Sequence, residues 1–333
     1  MFSGAGHRGA SHSLAFAVTL ATLLRASRKA AFLFTFTAAT CLLLLSSCSR
    51  AEKPAGDDRA MAAESIENLE IQADKLAAGT GGSCPREFSA LETGRTLRIS
   101  MFYGYDNYEG RAHDRVNASS MSHVLTEKCR GKLSACGFSI VASSQSALRL
   151  MRALDDRKVE INLFTSSLPD GAKEEEQDKL SLSVKDRFYR ELVESDVVCY
   201  MGHSRLGGGM EFNAQTGAAT LFNGIFRFPM VPVLKALRQR PTKLKMIGMF
   251  SCDSNKYFRD DFHGANPSLA LILTTADIYA RPAEQASLGA LDAVLAKKCD
   301  RAFDESMMSA YEPNPGMTYL VRGQGPDIRL QSR

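Results

Sequence analysis

At 333 residues with 44% apolar content, the chain has the composition of a folded globular protein, large enough for one sizeable domain or two small ones. The formal charge of +4 is confined to the amino-terminal stretch. Residues 1–47 carry Arg8, Arg25, Arg28 and Lys29 and no acid, and without those four the chain holds 37 basic against 37 acidic residues. That balance gives no electrostatic reason to expect a nucleic-acid partner.

Arg25, Arg28 and Lys29 precede the apolar run AAFLFTFTAATCLLLL, which gives way to small residues before Cys48. The layout resembles a bacterial lipoprotein signal, whose lipobox of an aliphatic residue, two small residues and a cysteine is matched by Leu45, Ser46, Ser47 and Cys48. The resemblance implies a signal peptide over 1–48, diacylation and palmitoylation of Cys48, and a membrane anchor through that lipid. Ser49 differs from the aspartate associated with retention at the inner membrane. The expected location is therefore the bacterial cell envelope, at the periplasmic face of the outer membrane or the cell surface. Outside the leader, Cys84, Cys129, Cys136, Cys199, Cys252 and Cys299 form an even set in an oxidising compartment; Cys129 and Cys136 are the nearest pair, but spacing leaves the connectivity open. Cys199, inside an apolar strand, reads as a small buried hydrophobe.

Residues 49–95 read as a tether with a short helix over 61–79. From Thr96 the pattern alternates between apolar strands and helices, so residues 96–333 are expected to form one α/β domain with a largely parallel sheet. The expected strands are TLRISMFYG, KVEINLFTS, SDVVCYMG, KLKMIGMFS and LALILTTA. Helices are expected at SSMSHVLTEKCRGKLSACG, SQSALRLMRALDD, VKDRFYRELVES, VPVLKALRQR and EQASLGALDAVLAKKCDRAFDESMMS. The charged run GAKEEEQDKLSLS reads as a solvated connector, and the Gly/Asn-rich stretch after GHS as a hairpin or flap.

In an open parallel sheet, ligands bind beyond the carboxyl ends of the strands, where GHSRLG (202–207) and SCDS (251–254) both fall. GHSRLG approximates the serine-hydrolase elbow G-x-S-x-G, with Ser204 as nucleophile, but its second glycine is displaced by one position and a loop-like sequence replaces the helix that should follow. The apolar strand leading to Ser251-Cys252-Asp253-Ser254, with Phe258 beyond, resembles the nucleophile block of caspase-like cysteine peptidases, most closely the legumain branch. Such enzymes carry their histidine at the end of the preceding core strand. His203 lies 49 residues upstream of Cys252, near the caspase spacing of about 50.

The resemblance implies a three-layer α/β sandwich with a mostly parallel central sheet, a Cys252/His203 dyad, and an oxyanion site made by the backbone N–H groups of Ser204 and Cys252. It covers residues 96 to about 280 in organisation and two short motifs in detail. The family has glycine after the histidine, where this chain has Ser204. The expected activity is hydrolysis of peptide or related amide bonds in a peptide or protein substrate, without cofactor or metal. Two alternatives stand beside it: a serine esterase using Ser204, and a non-catalytic envelope lipoprotein with a caspase-like binding domain.

Overall fold

The computed structural model describes residue 91 and residues 94–329, apart from 109–110, 130–132, 155–156, 170–171, 215, 276, 279, 299–301, 304, 308–319 and 324–327. The leader with Cys48, and the helix expected over 61–79, lie outside the described residues. Met1–Arg50 forms one unit by contact and Ala51–Arg333 a second, which carries everything described below.

Strands β1 (Thr96–Tyr103), β6 (Lys158–Thr165), β7 (Val197–Met201), β8 (Met246–Phe250) and β9 (Ala270–Thr274) are the five expected apolar runs. They pair in parallel in the order β9-β8-β7-β1-β6. All five residues of β7, β8 and β9 are buried, because parallel strands covered on both faces need apolar side chains on each. The alternation of the strand divides them between two cores. Ile99, Met101, Val197, Cys199 and Met201 face helices α1 (His113–Thr126) and α6 (Ala280–Leu295) through Met121, Val124, Leu125, Leu291 and Val294. Phe102, Val198, Tyr200, Ile247 and Met249 face the opposite side. There α2 (Glu174–Glu194), α4 (Met230–Arg238) and α5 (Ser254–Ala265) supply Phe188, Leu192, Val233, Leu237, Phe258 and Phe262. The result is an α/β fold with a mostly parallel sheet between helices on both faces, an arrangement compatible with a three-layer sandwich.

Several expectations are corrected. The segment SQSALRLMRALDD is strand β5 (Ala147–Ala153), paired antiparallel with β6 and with the edge strand β4 (Ser139–Ser143). Its apolar residues fit either period, and pairing with the edge of β6 decides between them. The charged run over 171–183 is largely the first half of α2, whose first turn holds Glu174, Glu175 and Glu176 beside the positive end of the helix dipole. Beyond GHS there is no hairpin: a 3-10 turn, Arg205–Gly207, is followed by helix α3 (Gly217–Phe226), capped by the Thr216 side chain accepting from the Ala219 N–H. Helix α5 was not expected, although Phe258, Phe262 and Ala265 already carry its spacing. Two short strands, β2 (Asn107–Tyr108) and β3 (Arg111–Ala112), form a separate hairpin, and β10 (Leu320–Gly323) and β11 (Ile328–Arg329) extend the sheet antiparallel beyond β9.

Cys129 and Cys136 form a disulfide, with Cα atoms 5.0 Å apart. Cys199 is a buried thiol, and burial pushes its pKa up to about 12, so it behaves as the small hydrophobe expected of it.

Candidate functional site

The chain runs from β1 to β6 on one side and returns to β7 on the other, so the carboxyl end of β1 lies where connections diverge, the usual place for a ligand crevice in such sheets. Four loops converge there, following β1, β6, β7 and β8.

β7 and β8 pair in parallel with Met201 opposite Phe250. His203 and Cys252 each lie two residues beyond that pair, and the Gly202 N–H donates to the Phe250 carbonyl at 3.4 Å. Consecutive core strands thus bring the two motifs to equivalent positions. Gly202 has φ +155°, and a Cβ there would come within 2.7 Å of the Tyr200 hydroxyl oxygen, so this exit from the strand admits only glycine.

At β8 the chain makes a strand-turn-helix elbow. Cys252 is 6% exposed, Asp253 takes the left-handed conformation at φ 51°, and α5 begins at Ser254. The start of a helix is an electropositive position that stabilises a thiolate. Ser254 is structural: its hydroxyl donates to the Met249 carbonyl at 2.7 Å and accepts from the Thr274 N–H at 2.8 Å, fastening the elbow to β9. Asp253 makes no side-chain cap.

In this structure Cys252 is oxidised. It is disulfide-bonded to a partner outside the described residues, and its Sγ lies 3.7 Å from the Ile278 carbonyl oxygen. As drawn, the sulfur is not a thiolate.

Around His203 the loop is held by a group that sequence reading missed. The Tyr200 hydroxyl accepts from the Glu211 N–H at 2.8 Å and shares its proton between the His203 and Glu211 carbonyls, 3.1 Å from each. The Tyr105 N–H donates to the Glu211 carbonyl at 3.0 Å, and Gly104 donates to Met201 at 2.7 Å. The Glu211 carboxylate is fully buried and ion-paired with Arg205, whose φ of 47° departs from the ordinary range, as does that of Leu206 at 55°. Asp106 at the end of β1 interacts with Arg205 and His113, and Asp114 accepts from the Ser166 and Ser167 N–H groups at 2.8 Å each. One signal was legible: Glu211 is the sole acid between Asp196 and Asp253, set among glycines and apolar residues.

Burial sets the charge states. It lowers the His203 pKa to about 4, with the nearby Arg205 cation adding to the effect, so the imidazole is neutral at pH 7. It raises Glu211 to about 7 against the opposing pull of Arg205, and Asp114 to about 6 against its hydrogen bonds. Desolvation also raises Asp106. Among the described residues no group of three or more His, Cys, Asp or Glu side chains is placed to hold a metal ion.

The raised Glu211 pKa makes stability depend on pH with a definite sign. The folded state holds the Glu211 proton between pH 4.5 and about 7, where the unfolded chain releases it, so this contribution is full below pH 4.5 and lost as pH rises through 7. A shift of that size is worth on the order of 3 kcal/mol. Glu211→Gln, which mimics the protonated form, is expected to flatten the stability profile between pH 5 and 8 relative to the native chain, as measured by urea denaturation. An unchanged profile would place the titration elsewhere.

Ser204 is 4% exposed and is followed by the 3-10 turn rather than a helix, so the strand-turn-helix geometry of a nucleophile belongs to Cys252 and not to Ser204. Of the other histidines, His113 opens α1, His123 lies 3.6 Å from Glu127, and His263 is on α5. Comparison with known proteins found no matching family model, no similar curated protein and no similar solved structure.

Proposed function

We propose that this chain is a lipid-anchored cell-envelope cysteine hydrolase of caspase-like organisation, cutting peptide or related amide bonds with Cys252 as nucleophile and His203 as base. The observation that carries the reading is the register of β7 and β8, which sets GHS and SCDS side by side with Cys252 at the elbow before α5. The oxidised Cys252 makes the form seen here latent. An external dithiol would supply two electrons and two protons, leave as its own disulfide, and release the Cys252 thiol.

The neutral His203 then takes the thiol proton as sulfur attacks the carbonyl carbon, and the Ser204 and Cys252 N–H groups hold the oxyanion. Collapse passes the proton to the departing amine and leaves a thioester. Water, deprotonated by His203, attacks that thioester and regenerates the thiol.

The test is alkylation followed by peptide mapping. Iodoacetamide is expected to leave Cys252 unmodified before reduction, to modify it faster than Cys199 after mild reduction, and to react more slowly in His203→Ala. A Cys252 released by reduction that reacts no faster than Cys199 would overturn the dyad.

A second reading rests on the disulfide itself. A thiol permanently cross-linked beside a desolvated histidine suits a non-catalytic envelope lipoprotein that binds a partner at the same crevice. Reduction without any gain in reactivity at Cys252 favours it.

A further inference from the structure

Helix α3 buries little of its own surface. Thr220 is its one buried residue, while Phe222, Ile225 and Phe226 are 51%, 61% and 51% exposed; Phe228 and Val231, just beyond, are 58% and 62% exposed. The three phenylalanine rings contact one another rather than the core, with centroids 4.6 Å (Phe222–Phe226), 5.7 Å (Phe226–Phe228) and 5.9 Å (Phe222–Phe228) apart. A contiguous cluster of exposed aromatic rings marks a surface that meets something apolar.

What it meets is indicated by charge. From Phe212 to Lys245 the sequence contains no acid, and it carries Arg227, Lys235, Arg238, Arg240, Lys243 and Lys245. Arg227 and Lys245 pair with Asp261 and Asp196 from outside the stretch. Lys235, Arg238, Arg240 and Lys243 are exposed, and the outer face of α4 runs Val231, Lys235, Arg238 at helical spacing, from the aromatic cluster into the cations. Two copies of so basic a face would repel, which argues against self-association through it.

The back of the patch is fixed. The Arg227 side chain donates to the Gly207 and Tyr257 carbonyls at 2.8 Å each, and Met230, Val233, Ala236 and Leu237 tie α4 into the core. No single described helix is long and apolar enough to cross a membrane. The α3–α4 pair is bent by 40° and tied to the domain, an arrangement for lying on a bilayer rather than spanning one.

We propose that this face docks on an anionic lipid bilayer, with Phe222, Phe226 and Phe228 in the headgroup-acyl boundary and Lys235, Arg238, Arg240 and Lys243 over the headgroup charges. The inference rests on neither the catalytic reading nor the lipid at Cys48. Because α3 packs on the 3-10 turn beside His203, docking would set the crevice close to the membrane surface.

The chain has no Trp, so Phe226→Trp in the full-length protein introduces a single reporter at the patch. With vesicles of phosphatidylglycerol and phosphatidylethanolamine, its emission is expected to shift to the blue. Dibrominated acyl chains are expected to quench it by about half, the depth being that of an interfacial helix. Replacing Lys235, Arg238, Arg240 and Lys243 by Gln in that background should remove most of the quenching, and so should vesicles of phosphatidylcholine alone. A control reporter, Leu182→Trp on acidic α2, also at an exposed position, should not respond. This local readout separates the patch from any attachment through the amino terminus. An unmoved emission at position 226, equal quenching at 182, an equal response on neutral vesicles, or a blue shift that grows with protein concentration without vesicles would each overturn the proposal.

Discussion

Glu191→Ala is expected to destabilise the domain by roughly 3–5 kcal/mol, the usual result of breaking a buried ionic network by removing one partner. The carboxylate has no exposed surface. Its Oε1 receives Arg98 at 2.8 Å and Arg187 at 2.6 Å, and its Oε2 receives the hydroxyls of Ser100 at 3.0 Å and Ser195 at 2.5 Å. These groups join α2 to β1. Removing the acid leaves two guanidinium groups and two hydroxyls facing a cavity. Glu191→Gln keeps the shape and part of the hydrogen bonding, so it should cost less than the alanine. Urea denaturation, read as a lower midpoint at unchanged slope, checks both; equal stability of Glu191→Ala would show that the network is held by solvent-exposed contacts alone. The cluster lies toward the amino ends of the strands, away from GHS and SCDS, so it separates stability from chemistry.

The second large effect concerns turnover of the reduced protein on a peptide amide or thioester substrate. Cys252→Ala should abolish it, and His203→Ala should lower kcat by about 10²–10⁴, the range spanned by a positioned acid-base group. Ser204→Ala keeps its backbone N–H and is expected to reduce activity by less than about tenfold. The pH profile carries a further mark. Burial disfavours the His203 imidazolium, so the base stays unprotonated well below the ordinary 6.5, and loss of activity through its protonation should wait until pH falls toward about 4. Activity retained in Cys252→Ala, with a fluorophosphonate label on Ser204, would transfer the chemistry to the serine.

The core strands and both motif positions were legible because they depend on near neighbours. Fully buried strands read as unbroken apolar runs, as VVCYM and MIGMF do. Their carboxyl ends were therefore known before any contact was. The alternative elbow at Ser204 lost its support only when the chain turned into a helix at Ser254 and not after Gly207.

Other features depended on partners distant in sequence. Residues 147–153 form a strand because the edge of β6 accepts them, although their own spacing also suits a helix. The overall charge balance concealed the acid-free stretch from Phe212 to Lys245, and only exposure showed that its aromatic residues face outward. Glu211 reads locally as one carboxylate in a glycine-rich loop; its raised pKa comes from burial against Tyr200, Arg205 and Asp106, which different loops deliver. The sequence by itself determined which strands exist and where His203 and Cys252 sit along them. The tertiary structure alone decided that those strands are neighbours, that His203 is desolvated and neutral, and that Cys252 is oxidised, because sheet order, burial and disulfide pairing arise from contacts that local spacing does not encode.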